Sequence, residues 1–153
     1  MADTYADPMD AVPTHFDDRE PLRVVAWVCV ENNAVLSARS RGQSLFYAPG
    51  GKLEPGEDDH VALRREIREE LGVELDPASI VPLTVIEAPA HGAAAGLTVR
   101  MSCYTADPLP SSPPPLASRE IAEIAWLGLT DRERCAPADQ ALLDFLCFRG
   151  ALT

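Results

Sequence analysis

Three glutamates, Glu66, Glu69 and Glu70, stand close together in the run "GGKLEPGEDDHVALRREIREELGV", Gly50 to Val73. At about 100° per residue this run is a helix, with Leu63, Ile67 and Leu71 forming one apolar stripe. The three carboxylates fall on the face beside that stripe, Arg64 and Arg68 on a third face, and Arg65 behind the acids. Like charges at three- and four-residue spacing repel. A solvated charged face usually alternates sign to gain ion pairs, whereas these acids are gathered where the apolar stripe shields them from water. Carboxylates in this arrangement can converge on a hard divalent cation. Magnesium takes oxygen ligands, commonly a few carboxylates completed by substrate phosphates, and such an ion would offset the repulsion.

The residues leading into the helix fit the same chemistry. Gly50 and Gly51 leave the backbone clear for close approach of a ligand. The stretch Glu54-Pro55-Gly56-Glu57 reads as a tight turn, with Glu57 at the helix entrance, where the dipole favours a carboxylate. Arg65 can fold back onto Glu57. The spacing of a phosphate-binding P-loop is absent, because the lone lysine, Lys52, follows the glycines directly.

Gly51, then five residues, Glu57, seven residues, Arg65-Glu66-Ile67, one residue, Glu69-Glu70, one residue, and Gly72-Val73: this pattern resembles the Nudix box of the Nudix (MutT-like) hydrolases. The resemblance implies an α/β/α sandwich around a mixed sheet, and an enzyme that hydrolyses a diphosphate bridge in nucleoside diphosphate-linked compounds. It implies magnesium, with manganese as an alternative, held by Glu66, Glu69 and Glu70 together with the Gly50 carbonyl. One of these glutamates would also be a candidate general base. Glu57 and Arg65 become a structural pair that holds the loop to the helix. Family members often add an acid from a later loop; Glu120 is the candidate, with Glu123 second.

Substrate choice lies outside the box. Lys52 is a candidate phosphate contact. Phe46 and Tyr47 precede the glycines, and strand alternation leaves at most one free to stack on a base; Tyr47 is the one carried forward. Arg100 could reach a phosphate or a purine edge, and His91 lies in a loop that could cover a pocket. The expected substrate is a nucleoside triphosphate or deoxynucleoside triphosphate, or its oxidised form, cleaved to monophosphate and pyrophosphate. ADP-ribose or a nucleotide sugar is the alternative, since Pro89 stands near where ADP-ribose-cleaving relatives carry a proline. A non-catalytic nucleotide-binding module would be expected to have lost box glutamates, and here all are present. Homodimers are common in the family, and the N-terminal segment could supply a swapped strand.

The elements that must position these residues can be read around them. Arg23–Val30 and Val35–Ser40 read as strands joined by a turn at Asn32-Asn33, which tolerate positive φ. Asp58 or Asp59 can cap the acidic helix and Gly72 can stop it. Ser79–Ala88, Leu97–Ala106 and Glu120–Leu129 read as strands, and Pro137–Phe148 as an amphipathic helix with proline at its start. The proline-rich run Pro108–Ser118 reads as a stiff connector. Strands and helices intermix, giving an α/β or α+β class with helices covering a mixed sheet. Residues 1–20 form an acidic, proline-broken lead-in, and residues 21–153 one domain.

The chain has 153 residues and a formal net charge of −11, opposite to the basic footprint of a nucleic-acid polymer binder. No apolar run reaches the roughly 20 residues that span a bilayer, and the N-terminus has neither signal- nor transit-peptide character, so a cytoplasmic protein is expected. Cys29, Cys103, Cys135 and Cys147 lack zinc spacing; Cys29 and Cys103, in apolar runs, read as small buried hydrophobes.

Overall fold

A computed structural model describes residues 20–91 and 96–153. All but the last residue of the N-terminal lead-in, and part of the loop after His91, lie outside the described residues. Two sheets carry the molecule. Strands β1 (Leu22–Trp27), β4 (Gly50–Lys52), β5 (Val81–Pro89) and β6 (Thr98–Thr105) form the larger, in the order β4-β1-β6-β5. It is mixed: β1 runs parallel to β6, and the other pairs are antiparallel. Strands β2 (Val30–Glu31), β3 (Ala34–Ser40) and β7 (Ile121–Leu127) form a smaller antiparallel sheet in the order β2-β3-β7.

The continuous strand expected over Arg23–Val30 is interrupted at Val28-Cys29. There the chain leaves the mixed sheet, and only Val30 and Glu31 pair with β3 as a hairpin. Its turn is as read, with Asn32 and Asn33 at φ 48° and 61°. β3 pairs mainly with β7.

Each face of the mixed sheet receives one helix. α1 (Asp59–Leu71) buries Ala62, Leu63, Ile67 and Leu71 against Val25, Trp27 and Tyr104. Each large aliphatic side chain so buried contributes roughly 2 kcal/mol. α2 (Pro137–Phe148) buries Ala138, Leu142, Leu143 and Leu146 against Ala26, Ile86, Met101 and Cys103 on the opposite face. Alternation along β1 makes this division: Val25 and Trp27 face α1, and Ala26 faces α2.

α1 has both expected terminators. Asp58 accepts the Val61 N–H at 2.9 Å as N-cap, and Gly72 at φ 68° closes the other end, its N–H on the Arg68 carbonyl. The proline-rich run does more than connect. The N–H groups of Leu116 and Ser118 reach the Leu71 and Glu70 carbonyls, each at 3.0 Å, and the Ser118 hydroxyl donates to the Glu69 carbonyl at 2.6 Å. The last turn of α1, which carries the acids, is thereby satisfied from outside the helix. All four cysteines are free, with Cys103 and Cys135 buried and Cys29 half-buried. Among the described residues no helix is long and apolar enough to cross a membrane.

Candidate active site

α1 and β4 lie against each other, and the acids of α1 face the start of β4. The Gly50 N–H donates to Glu70 Oε2 at 3.1 Å. Side chains at the two glycines are excluded for different reasons. A Cβ on Gly50, at φ 154°, would stand 1.9 Å from the Val25 carbonyl oxygen, whereas one on Gly51 would stand 2.6 Å from the Glu66 carboxyl carbon. The first glycine lets β4 pair with β1; the second leaves room for a carboxylate.

Arg65 organises the back of the cluster. It grips Glu57 with two hydrogen bonds, Nε to Oε2 at 2.7 Å and Nη2 to Oε1 at 2.8 Å. Nη1 reaches Glu66 Oε1 at 3.0 Å and Glu69 Oε2 at 3.3 Å, and Nη2 also donates to the Lys52 carbonyl at 3.1 Å. Glu57 further accepts the Glu54 N–H at 2.8 Å. One guanidinium thus ties the turn, β4 and α1 together, and the expected Glu57–Arg65 pair is present as a bidentate contact. These bonds hold the Glu57 carboxyl down at about 2.

Glu66 and Glu70 are driven the other way. Burial pushes Glu70 up to about 8 despite the Gly50 N–H, with Glu66 and Glu69 raising it further. Burial also raises Glu66, against the opposing pull of Arg65. These are carboxylates short of positive charge. Glu66, Glu69, Glu70 and Glu120 line one hollow of about 250 Å³, closed by Ser40, Ser118 and Arg119. Glu120, just before β7, lines this hollow together with the α1 acids. The second candidate, Glu123, pairs with Arg39 at 3.3 Å.

The donor types suit a hard divalent cation: carboxylate oxygens lining one hollow, with the charged forms of Glu66 and Glu70 disfavoured by burial. Among the described residues no three His, Cys, Asp or Glu side chains are placed so that they could hold a metal ion as they stand. Arg65 holds one oxygen each of Glu66 and Glu69, and Gly50 holds one of Glu70.

A second, more apolar pocket of about 320 Å³ adjoins it. Leu45, Tyr47, Val99, Met101 and Ala138 line it, with Gly50, Gly51 and Lys52 along one side and Pro89 and His91 at the loop. Tyr47 is the free member of the aromatic pair, since Phe46 is buried beneath Arg134. Arg100 lines neither hollow. Its place on β6 opposite Glu87 sets it in a surface ion pair of 2.6 Å, away from both hollows.

Two residues of these pockets do not stand out in the sequence. Asp139, in the first turn of α2, is buried at the apolar pocket and accepts the Ala48 N–H at 2.7 Å. Burial pushes its carboxyl up to about 7. An acid behind a helix-starting proline reads as a first-turn residue, and only the fold encloses it. Ser40, at the end of β3, lines both hollows.

The NUDIX domain model matches residues 20–146. No curated protein sequence matches the chain. A structure of a nudix hydrolase family member from Chromobacterium violaceum superposes with TM-score 0.64 at 25% identity, covering 84% of this chain and 77% of the other. The ORF135 protein of E. coli superposes with TM-score 0.61 at 26% identity, over 88% of this chain and 95% of that one. A UDP-X diphosphatase has TM-score 0.64 at 18% identity, over 95% and 72%, which is a likeness of fold. The acidic helix, its glycine approach and its arginine clasp thus sit on the fold and within the matched span of a known group of enzymes, and the chain belongs to the Nudix hydrolases.

Proposed function

We propose that this chain is a nucleoside triphosphate pyrophosphohydrolase, which releases the monophosphate and pyrophosphate from a standard or oxidised nucleotide. The carrying observation is the pairing of two hollows. One is apolar, at the small end of the roughly 300–1,000 Å³ range of ligand pockets. The other is lined by carboxylates and opens beside it. A nucleobase with its sugar suits the first, and a phosphate chain reaching from it enters the second. Tyr47 and the apolar side chains would meet the base face, and Asp139 offers a carboxyl at the pocket wall for a base edge. Lys52, exposed on the same side, would meet phosphate.

Nudix hydrolases act with divalent metal ions; magnesium is the ion proposed here, held by Glu66, Glu69 and Glu70 with Glu120 and the Gly50 carbonyl as further oxygens. A metal there would polarise the phosphate oxygens and lower the pKa of attacking water. Arg65 holds Glu66 and Glu69 from behind and keeps the turn at Glu57 in place. A free carboxylate of the cluster is the candidate base for the water.

The test is a panel of the standard and oxidised nucleoside triphosphates, ADP-ribose, nucleotide sugars and dinucleoside polyphosphates with magnesium. Monophosphate and pyrophosphate from a triphosphate, at the highest kcat/KM of the panel, is the expected result. Hydrolysis confined to ADP-ribose or a nucleotide sugar would replace the proposed substrate. Chelator should stop the reaction, and excess magnesium should restore it.

A further inference from the structure

Ser40 belongs to both hollows. It ends β3 where pairing with β7 slips: Arg39 stands opposite Glu123, but Ser40 stands opposite Ile121, so β7 spends one extra residue, Ala122. A bulge of this kind re-aims the side chains beside it. The strand end is then fixed on two sides. The Gln43 N–H returns to the Ser40 carbonyl at 3.1 Å, and the Arg41 N–H donates to the Glu120 carbonyl at 2.7 Å. The Ser40 hydroxyl is thus set at a defined place beside the acid hollow.

Its partner is Tyr47. The two hydroxyls share a hydrogen bond of 2.5 Å. Two hydroxyls carry two protons, and one bond spends one of them. Among the described residues neither oxygen has another hydrogen-bond partner, so the pair retains a donor and acceptor capacity. Burial, with Glu70 next in effect, pushes the Tyr47 phenol up to about 12, so both protons are retained at neutral pH.

Resting on the nucleotide reading above, we propose that the Ser40–Tyr47 hydroxyl pair is a sugar-recognition site: it hydrogen-bonds a hydroxyl of the nucleotide's sugar and so sets the register between base pocket and phosphate hollow. A nucleotide with its base in one hollow and its phosphates in the other must place its sugar at their junction. The residue shared by both hollows stands there with a hydrogen bond to offer. Ser40 and Tyr47 are specificity residues in this scheme, outside the carboxylate cluster.

The test removes hydroxyls from both sides of the contact. Wild type, Ser40→Ala and Tyr47→Phe are assayed on each ribonucleoside triphosphate, its 2′-deoxy form and its 2′,3′-dideoxy form. In the wild type, loss of the recognised hydroxyl should lower kcat/KM about tenfold, the worth of one neutral hydrogen bond. In Ser40→Ala that step should flatten to under about twofold, with kcat/KM on the dideoxy substrate close to the wild-type value. Tyr47→Phe, which leaves Ser40 without its fixed partner, should flatten it in part. Equal loss on all three sugars would place Ser40 on phosphate or on the framework and overturn the proposal, as would an unchanged step in both variants. Thermal melting separates these results from misfolding; should Ser40→Ala melt early, Ser40→Cys, of similar shape and weak hydrogen bonding, takes its place with the same expectation. Failure of the wild type to cleave any triphosphate would overturn the substrate reading itself, and is distinct from turnover without a sugar step.

Discussion

A carboxylate crowded by its own kind is held by whatever it can find, and here the partners differ residue by residue. Glu57 has a guanidinium and an N–H; Glu70 has an N–H and burial. Glu70→Gln keeps the shape and the acceptor for Gly50 while removing the charge. Its turnover should fall about a thousandfold with melting temperature unchanged or raised; a rate near wild type would refute its role. The two glycines should separate cleanly. Gly51→Ala would strike the flexible end of Glu66 and displace it, lowering kcat about a hundredfold with little loss of stability. Gly50→Ala would strike backbone at a φ that side chains avoid, and should cost roughly 3 kcal/mol of stability. Parallel melting and kinetic measurements would show one variant folded and slow, the other unstable. Asp139 gives a pH signature. Its carboxyl ionises near 3.8 when unfolded and near 7 when folded, so above about 3.8 the unfolded chain releases a proton that the folded chain keeps. The contribution to stability therefore falls as pH rises from about 4 to about 7. An amide in its place, as in Asp139→Asn, does not titrate and still accepts the Ala48 N–H. The melting temperature of Asp139→Asn minus that of wild type should grow by about 10 °C between pH 4 and pH 8; a constant difference would count against it. The α1 acids are legible in the sequence because helical period alone puts them on one face. Asp139 and Ser40 are not, because each owes its setting to residues brought in by the fold: Ala48 to one, Tyr47 and the slipped strand to the other.

At the scale of elements, α1 is the member whose position matters most, and it is held at three places. Asp58 caps its start, Arg65 ties its middle to β4 and the preceding turn, and Ser118 covers the carbonyls of its final acids. Removing the middle tie should harm both fold and chemistry: Arg65→Ala is expected to lower the melting temperature by about 5 °C or more and to slow turnover. An unchanged melting temperature would show that the Glu57 grip contributes little. The start and end of α1 could be read from sequence, since capping residues act within a turn of the helix they cap. Likewise Pro137 marked the first residue of α2. Strand partners could not. Val35–Ser40 looks like the return arm of a hairpin with the valine-rich run before it, yet β1 pairs with β6, more than seventy residues on, and β3 with β7. Two adjacent apolar strands satisfy the same local pattern whether they share a sheet or divide between two; burial on both faces of β1 decides it. The proline-rich run escaped for a related reason: its N–H groups matter through carbonyls of a helix far back in the chain.

For the molecule as a whole, a net charge of −11 sets a cost that falls unevenly. General repulsion is spread over the surface and is screened by any salt, within about 10 Å at 0.1 M ionic strength. The hollow beside α1 is different, because Glu66, Glu69, Glu70 and Glu120 share it and two of them are driven toward their neutral forms by burial. Monovalent salt reaches the first problem better than the second. A divalent cation bound to the folded chain alone adds stability by mass action, about 1.4 kcal/mol at ten times its dissociation constant. Thermal melting should therefore rise by about 3–5 °C in saturating magnesium over sodium chloride of the same ionic strength. That increment should vanish in Glu66→Gln and Glu70→Gln, while the response to sodium chloride persists. Equal responses to the two salts in the wild type would reduce the acid cluster to general surface charge and remove the cation from the account of this fold. A magnesium-specific increment lost with either glutamate would instead join the stability of the molecule to the same few oxygens on which its proposed chemistry depends.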